Sequence, residues 1–193
     1  GGNSKAFYGN QVMGETLDLS GHKGVVNYEP TELVLTVRGG SPLSDIEALL
    51  AEHGQMLPFE PPAFTPHSTI GGAIAAGLGG PRRPWGGAPR DLMLGIKLLD
   101  GKGQILNFGG QVMKNVAGYD LSRLMAGAMG VLGILLEVSV KVLPAPELES
   151  SLQFEADERA CRSILSKMLA KGVPISATYA YHGLLRIRLA CAE

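Results

Sequence analysis

The sequence predicts an α+β fold in two parts, a larger domain over residues 1–146 and the incomplete beginning of a second domain over residues 147–193. Short strands are separated by turn residues, and helices with recognisable ends lie between them. Of the 27 glycines, 16 lie between Gly71 and Gly133, and only two lie beyond Gly133. Because glycine permits close backbone approach, the larger domain is expected to contain either many tight turns or a ligand laid against its main chain.

The first part opens with short extended runs. They predict three strands, over residues 16–19, 25–28 and 33–37. Ser41 then supplies a helix N-cap, and Pro42 a first helical residue whose missing N–H is harmless at that position. Apolar residues continue at helical spacing, and Gly54 is expected to end this helix.

The middle of the chain combines a small-residue segment with a hairpin. Residues 69–77 are so rich in glycine and alanine that we expect them to pack closely against another element. The runs 91–99 and 104–108 flank a turn that contains Asp-Gly, and this pattern predicts a β-hairpin. A short helix over 119–125 and an alternating strand over 136–142 complete the first domain.

The second part has the pattern of a βαββ unit. An extended run over residues 150–155 precedes a helix that Asp157 caps and Gly172 ends. Two further strands follow as a hairpin, over residues 173–181 and 184–190. We expect this unit to be the beginning of a truncated cap or substrate domain.

Charge and composition exclude several functional classes. The chain has 17 basic and 18 acidic residues, which argues against a polybasic nucleic-acid binder, and its 45% hydrophobic content argues against disorder. The longest stretch without charge or proline, residues 67–80, falls short of the ~18 residues that indicate a transmembrane helix. Cys161 and Cys191 form no zinc-binding or disulfide pattern. We therefore expect no metal and no transmembrane segment.

Common nucleotide-binding motifs do not match this sequence. No G-x-x-x-x-G-K-[ST] loop occurs, and no G-x-G-x-x-G follows a strand and opens a helix. Three glycine-rich segments remain, over residues 1–4, 69–72 and 77–83. Consecutive main-chain N–H groups without shielding side chains bind anions, so the three segments together suit a diphosphate. Composition alone leaves open that each segment is simply a turn or a close packing contact.

Five motifs carry a resemblance to a known family. They are Thr69-Ile70-Gly71-Gly72, Gly79-Gly80-Pro81-Arg82-Arg83-Pro84-Trp85, Arg90-Asp91-Leu92-Met93-Leu94-Gly95, Lys114-Asn115-Val116-Ala117-Gly118-Tyr119-Asp120-Leu121 and Gly130-Val131-Leu132-Gly133-Ile134. In this order they closely resemble the FAD-binding subunits of glycolate oxidases, within the vanillyl-alcohol oxidase and p-cresol methylhydroxylase flavoprotein superfamily. The resemblance covers nearly the whole chain. It implies the α+β FAD-binding domain of that superfamily, with mixed and antiparallel strands and helices.

The resemblance implies an FAD site built from a first pyrophosphate loop over residues 1–4, a second pyrophosphate loop over residues 69–72 and 77–83, and a third segment that contains Gly130, Gly133 and Ile134. The implied cofactor-binding residues are Gly1, Gly2, Asn3, Ser4, Thr69, Ile70, Gly71, Gly72, Gly77, Gly79, Gly80, Arg82, Arg83, Asp91, Tyr119, Asp120, Gly130, Gly133 and Ile134. For Asp91, Tyr119 and Asp120, a turn cap or a packing role under a loop suits the sequence equally well. Relatives that attach flavin to a histidine in the first loop have it where this chain has Asn3, so non-covalent FAD is implied.

The resemblance also implies a function. In such a subunit, FAD accepts a hydride from the α-carbon of a small 2-hydroxy acid, which converts glycolate to glyoxylate. The implied partners are a second flavin subunit and an iron–sulfur subunit, in a cytoplasmic complex for which peripheral membrane association stays open. No catalytic residue can be assigned. A non-catalytic FAD subunit for assembly or electron relay, with substrate oxidation on the sister subunit, therefore stays open, as does a non-redox nucleotide-binding or scaffold domain.

Overall fold

Ten strands and six α-helices lie in the part of the chain that the structure, a computed structural model, describes: residues 2–8, 13–110 and 119–191. The strands are β1 (Val25–Glu29), β2 (Val34–Arg38), β3 (Gln55–Met56), β4 (Met93–Leu99), β5 (Ile105–Gly109), β6 (Ile134–Lys141), β7 (Leu143–Pro144), β8 (Leu148–Glu155), β9 (Ile175–Tyr181) and β10 (Leu184–Cys191). The helices are α1 (Leu43–Glu52), α2 (Ile70–Ala76), α3 (Arg83–Gly86), α4 (Pro89–Leu92), α5 (Leu121–Leu124) and α6 (Glu158–Ala170). None of these described helices is long and apolar enough to cross a bilayer.

Five strands form a sheet in the order β1-β2-β6-β4-β5. The central strand β6 follows the predicted alternation at Val138 and Val140, which are fully buried in the core. The alternation does not hold throughout, because Leu135 is buried rather than Leu136, and Ser139 is buried with its hydroxyl hydrogen-bonded to that of Thr36 on β2 at 2.8 Å. The predicted hairpin is confirmed as β4 and β5, although its first strand begins only after the short helix α4. Every strand pair in the described residues is antiparallel, so the parallel component of the expected mixed sheets does not occur among them.

Helices α1 and α2 share one hydrophobic core with this sheet. Helix α1 contributes the buried side chains of Leu43, Ile46 and Leu50, and α2 contributes Ile70 and Ile74. Full burial of each such aliphatic side chain stabilises the fold by about 1.5–3 kcal/mol relative to exposure. The expected close packing of residues 69–77 is confirmed. This packing fixes the beginning of α2 against Gly39, directly after β2, where the candidate site lies.

A smaller sheet and helix α6 form a second hydrophobic cluster. The strand order is β8-β10-β9, and Leu185 and Ile187 of β10 are fully buried in this cluster. Helix α6 begins as predicted, because the carboxylate of Asp157 accepts a hydrogen bond from a main-chain N–H of its first turn at 2.7 Å. Strands β9 and β10 are joined by His182 and Gly183, both at positive φ, as a two-residue hairpin turn requires. These elements follow the predicted βαββ order.

Two expectations about the beginning of the chain are wrong. Residues 16–19 do not form a strand, and the carboxylate of Asp18 instead accepts two hydrogen bonds from Ser20. Ser41 does not cap α1: its hydroxyl accepts the Gly24 N–H at 2.9 Å, and the helix begins one residue later than expected. In the first case a local side-chain contact replaces strand pairing. In the second, a partner from a distant turn replaces the helix N–H groups.

Candidate functional site

Two adjoining cavities lie at the beginning of α2, and Thr69, Gly72 and Ala75 line both of them. The first, which we call the glycine cavity, measures about 200 Å³ and is lined by Leu19, Gly39, Thr69, Gly71, Gly72, Ala75, Met125, Gly130, Gly133, Ile134 and Leu135. The second, the N-terminal cavity, measures about 480 Å³ and is lined by Gly2, Asn3, Ser4, Lys5, Ala6, Tyr8, Thr16, Thr69, Gly72, Ala75, Ala76 and Met129. Three segments that are distant in sequence thus meet here.

The first and second predicted loops are in direct contact. The hydroxyl of Ser68 donates a hydrogen bond to the hydroxyl of Ser4 at 3.1 Å. A Cβ placed on Gly2 would lie only 1.7 Å from the carbonyl oxygen of His67, so the two loops approach as closely as glycine alone permits. Residues 2–4 thus lie against the residues directly before Thr69, and they share a cavity lining with Thr69 and Gly72. Gly1 lies outside the described residues.

The main-chain N–H groups of the second loop already have acceptors within the chain. The N–H of Ile70 donates to the Ser41 carbonyl at 3.0 Å, and the N–H of Gly71 donates to the Gly39 carbonyl at 2.9 Å. The N–H of Gly72 donates to the side-chain oxygen of Thr69 at 3.2 Å. Ile70 itself is fully buried in the core. The loop therefore offers a ligand a surface without side chains rather than the row of free N–H donors expected from the sequence.

The third segment forms the opposite wall of the glycine cavity. Gly130 has φ of 76°, and a Cβ built there would meet no atom within 4 Å. A Cβ on Gly72 would meet only the Thr69 hydroxyl, at 3.2 Å, a tight contact that a small shift of this hydroxyl would relieve. The N–H of Met129 donates to the Ala75 carbonyl at 2.8 Å, which ties this segment to α2. Both walls thus leave space that any larger side chain would fill.

Several residues that the resemblance implied do not line either cavity. Arg82 is buried, and its guanidinium pairs with Glu60 at 3.2 Å and with Glu149. Arg188 from β10 also pairs with Glu60, at 2.6 Å. We call these four residues the arginine–glutamate cluster. The cluster joins residues 60 and 82 of the first part of the chain to residues 149 and 188 of the second part. The Arg82 guanidinium is therefore occupied by glutamates, and Arg82 lines neither the glycine cavity nor the N-terminal cavity.

The glycines that precede Arg82 have packing roles, whereas Arg83 is a surface residue. Gly77 ends α2 in the left-handed conformation, and a Cβ on it would lie 2.9 Å from Gly127. A Cβ on Gly80 would lie 2.4 Å from the Glu60 carbonyl oxygen, and a Cβ on Gly79 would lie 3.4 Å from the Phe59 carbonyl oxygen. Arg83 is exposed at the beginning of α3.

Asp91, Asp120 and Tyr119 have structural roles. The two aspartates cap local turns or helices, and the tyrosine lies on the surface. The Asp91 carboxylate accepts the Ala88 N–H at 3.1 Å, and Asp120 caps α5 and pairs with Arg123. Tyr119 is 94% exposed. The Lys-Asn-Val-Ala-Gly portion of its motif, residues 114–118, lies outside the described residues.

Sequence reasoning missed part of the cavity lining. Gly39 separates α2 from β6, and the pair Gly39-Gly40 directly after a buried strand was the available signal for a close approach. Lys5 follows the first loop immediately and lines the N-terminal cavity. Met125 and Leu135 form apolar wall of the glycine cavity, and an apolar residue in the core pattern carries no signal of such a role.

The described lining of the two cavities is apolar with a few polar side chains. Among the described residues, no aspartate, glutamate or histidine lines either cavity. The polar side chains that do line them are the hydroxyls of Ser4, Thr16, Thr69 and Tyr8, together with Asn3 and Lys5. Burial lowers the pKa of Lys5 below its usual value. Apolar walls with a few polar groups are typical of sites for large organic ligands.

A protein-family model described as an FAD binding domain matches residues 1–109. The chain belongs to the FAD-binding domain family. FAD is the cofactor that this family binds, and the cavities fit it, because they combine a surface free of side chains with hydroxyl groups and one cation. In this FAD-binding domain the matched range contains both predicted loops.

Relatives and solved structures agree with this assignment. The chain is 52% identical over 193 residues to glycolate oxidase subunit GlcE of Escherichia coli, which covers 100% of the chain and 55% of that protein. It is 32% identical over 157 residues to glycolate oxidase subunit GlcD of Bacillus subtilis, which covers 80% of the chain and 33% of that protein. The chain thus spans about half the length of the first relative and a third of the second. The resemblance found in the sequence is confirmed.

The fold prediction is confirmed as well. The structure matches alkyldihydroxyacetonephosphate synthase with a TM-score of 0.70 at 18% identity, over 89% of this chain and 37% of that chain. At that identity the likeness concerns the fold alone.

Proposed function

We propose that this FAD-binding domain is part of a glycolate oxidase subunit, in a complex that oxidises glycolate to glyoxylate. The observation that carries the proposal is the 52% identity to a glycolate oxidase subunit, in a match that spans the entire chain and so both cavities. Relatives named D-lactate dehydrogenase and D-2-hydroxyglutarate dehydrogenase support a small 2-hydroxy acid as the class of substrate. The proposed partners are a second flavin subunit and an iron–sulfur subunit, in a cytoplasmic complex with or without peripheral membrane association.

The residues proposed to hold FAD are those of the implied set that line the two cavities. They are Gly2, Asn3, Ser4, Thr69, Gly71, Gly72, Gly130, Gly133 and Ile134. When bound, FAD supplies a two-electron acceptor, and the protein supplies placement and exclusion of water. The glycines permit close approach of a flat ring system, the Met125 and Leu135 side chains exclude water, and the hydroxyls of Ser4 and Thr69 donate hydrogen bonds.

The two parts of the chain are proposed as separate units of the subunit. Residues 1–146 would form the FAD-binding domain, and residues 147–193 the beginning of a cap or substrate domain. Each part has its own hydrophobic cluster, which supports this division.

An assembly or electron-relay subunit is the second candidate. The absence of an acidic or histidine side chain from the described lining of both cavities favours it, because oxidation of a 2-hydroxy acid needs a group that takes the hydroxyl proton. The two candidates differ in one experiment. The isolated full-length subunit, loaded with FAD, is mixed with glycolate without oxygen, and the flavin absorption band is followed.

Bleaching of the flavin band by glycolate would support substrate oxidation on this subunit and contradict the relay candidate. A stable band that bleaches only after the sister subunit is added would support the relay candidate. Absence of both a flavin band and FAD affinity in the full-length subunit would contradict both.

Non-covalent attachment of FAD is proposed for this site. Asn3 lines the N-terminal cavity, and no histidine or cysteine lines either cavity in the described residues. We expect acid precipitation of the FAD-loaded subunit to release all of the yellow colour into the supernatant. Colour that stays in the protein pellet after washing would contradict non-covalent binding.

A larger side chain in the glycine cavity should weaken FAD binding without unfolding the protein. Gly72 is exposed at the first turn of α2, and Leu is a better helix former than Gly by roughly 0.5–1 kcal/mol. We therefore expect Gly72→Leu to weaken FAD binding at least about tenfold, roughly the 1.4 kcal/mol of a partial clash, with unchanged thermal stability of the FAD-free protein. FAD titration by fluorescence measures the first quantity, and circular dichroism during heating the second. Wild-type affinity in this variant would exclude the glycine cavity as the site.

A further inference from the structure

A diphosphate bound in this site would carry negative charge that the two expected arginines do not compensate. Arg82 is held by two glutamates of the arginine–glutamate cluster, and its charge is therefore already compensated. Arg83 is exposed and lines neither cavity. The N–H groups of Ile70, Gly71 and Gly72 have acceptors within the chain. Neither these two arginines nor these three N–H groups are thus available to a bound anion.

Lys5 is the one cationic side chain among the described residues that line the two cavities. It makes no ion pair with a carboxylate of the described residues. Its Nζ atom lies 5.4 Å from the centroid of the Phe64 ring, which holds the side chain beside the first loop by a cation–π contact. Burial lowers the pKa of Lys5, because the ammonium is partly desolvated without a compensating anion.

We propose that the Lys5 ammonium pairs with the diphosphate of FAD in the N-terminal cavity. This inference rests on the FAD site proposed above and adds the residue that provides its charge. Lys5 shares the cavity with Ser4 and Thr69, whose hydroxyls are suitable donors to the remaining phosphate oxygens. A lysine suits this position, because its flexible stem lets the ammonium follow a phosphate as a point charge.

The test compares FAD binding to the full-length subunit and three variants. Lys5→Gln removes the charge and keeps a polar side chain of similar reach, Lys5→Arg retains the charge, and Lys102→Gln removes an exposed charge from the β4–β5 turn as a matched control. FAD affinity is measured by fluorescence titration at low and high NaCl. ADP and adenosine are then used as competitors, because only ADP carries the diphosphate.

For Lys5→Gln we expect an FAD affinity about tenfold or more below that of the wild type, the loss typical of one charge-assisted hydrogen bond. The dissociation constant of ADP, calculated from its competition with FAD, should rise by a similar factor. The dissociation constant of adenosine should not change. Lys5→Arg should stay within about threefold of the wild type, and Lys102→Gln should equal it. The FAD affinity of Lys5→Gln should also depend less on NaCl.

Equal binding of FAD and ADP by Lys5→Gln and wild type would overturn the role of Lys5 while leaving the FAD site in place. A wild-type subunit that binds no FAD would overturn the proposed site and the role of Lys5 together. Equal losses of affinity for ADP and adenosine would also overturn the role of Lys5, since a general distortion of the cavity rather than a lost charge would then explain the effect. Thermal unfolding without FAD identifies any variant that is misfolded.

Discussion

Arg82→Met is expected to lower the free energy of unfolding by about 3 kcal/mol, near the lower end of the range for breaking a buried ion pair. Arg82 is buried, and its guanidinium bridges Glu60, before the second loop, and Glu149 on β8. Methionine fills a similar volume but leaves two carboxylates with fewer cationic partners. Glu149 remains more than a third exposed, so solvent limits the loss.

The measurement is urea unfolding of the full-length subunit, with Arg83→Met as the matched control. Arg83 is the next residue, is exposed and has no ion pair among those described, so its replacement should change the stability by less than about 0.5 kcal/mol. Adding Glu60→Gln to Arg82→Met should not recover the loss, because Glu60 still pairs with Arg188 in that variant. Equal stabilities of Arg82→Met and Arg83→Met would show that the cluster contributes nothing to folding.

Arg82 also shows where sequence reasoning about the site fails. The motif places two arginines beside a glycine pair, and a diphosphate is a natural partner for them. The actual partners of Arg82 come from 22 and 67 residues away along the chain. Choice among distant charges depends on the packing of the two parts of the chain, and no local pattern records it.

Elements with strong local signals could be predicted. The Asp-Gly turn between β4 and β5, the Asp157 cap of α6 and the two-residue turn between β9 and β10 are each specified within a few residues. The cap of α1 could not be predicted, because the Ser41 hydroxyl binds Gly24, which lies 17 residues earlier. Local chemistry thus specifies the hairpins and helix ends, and tertiary contacts decide where a polar side chain has two possible partners.

The candidate site was predictable to the same extent. Residues 2–4 share a cavity with Thr69 and Gly72, and the resemblance implied this, because the motifs occur in the order found in the family. The role of Gly39 did not follow, because a glycine after a strand usually indicates a turn. Its function depends on β6, which lies almost 100 residues further along the chain.

Gly39→Ala is expected to destabilise the FAD-binding domain by about 3 kcal/mol, the upper part of the range for overpacking a core. A Cβ at this position would lie 2.2 Å from the Leu135 carbonyl oxygen of β6. The same residue donates its N–H to the Leu136 carbonyl at 2.7 Å and accepts the Gly71 N–H at 2.9 Å. Because both neighbours are main chain held by these hydrogen bonds, no side-chain rotation relieves the clash.

The relief must come from a movement of Gly39 away from β6. Through the hydrogen bond between Gly39 and Gly71 that movement would shift α2 and alter the glycine cavity, whose lining includes Gly71 and Leu135. FAD affinity should therefore fall together with stability. Gly101→Ala is the matched control, since its Cβ would meet no atom within 4 Å and its stability should stay within about 0.5 kcal/mol of wild type. Urea unfolding and FAD titration measure the two effects. If Gly39→Ala unfolds like Gly101→Ala but loses FAD, Gly39 borders the ligand directly. Unchanged stability and unchanged FAD affinity would mean that Gly39 and β6 are not in such close contact.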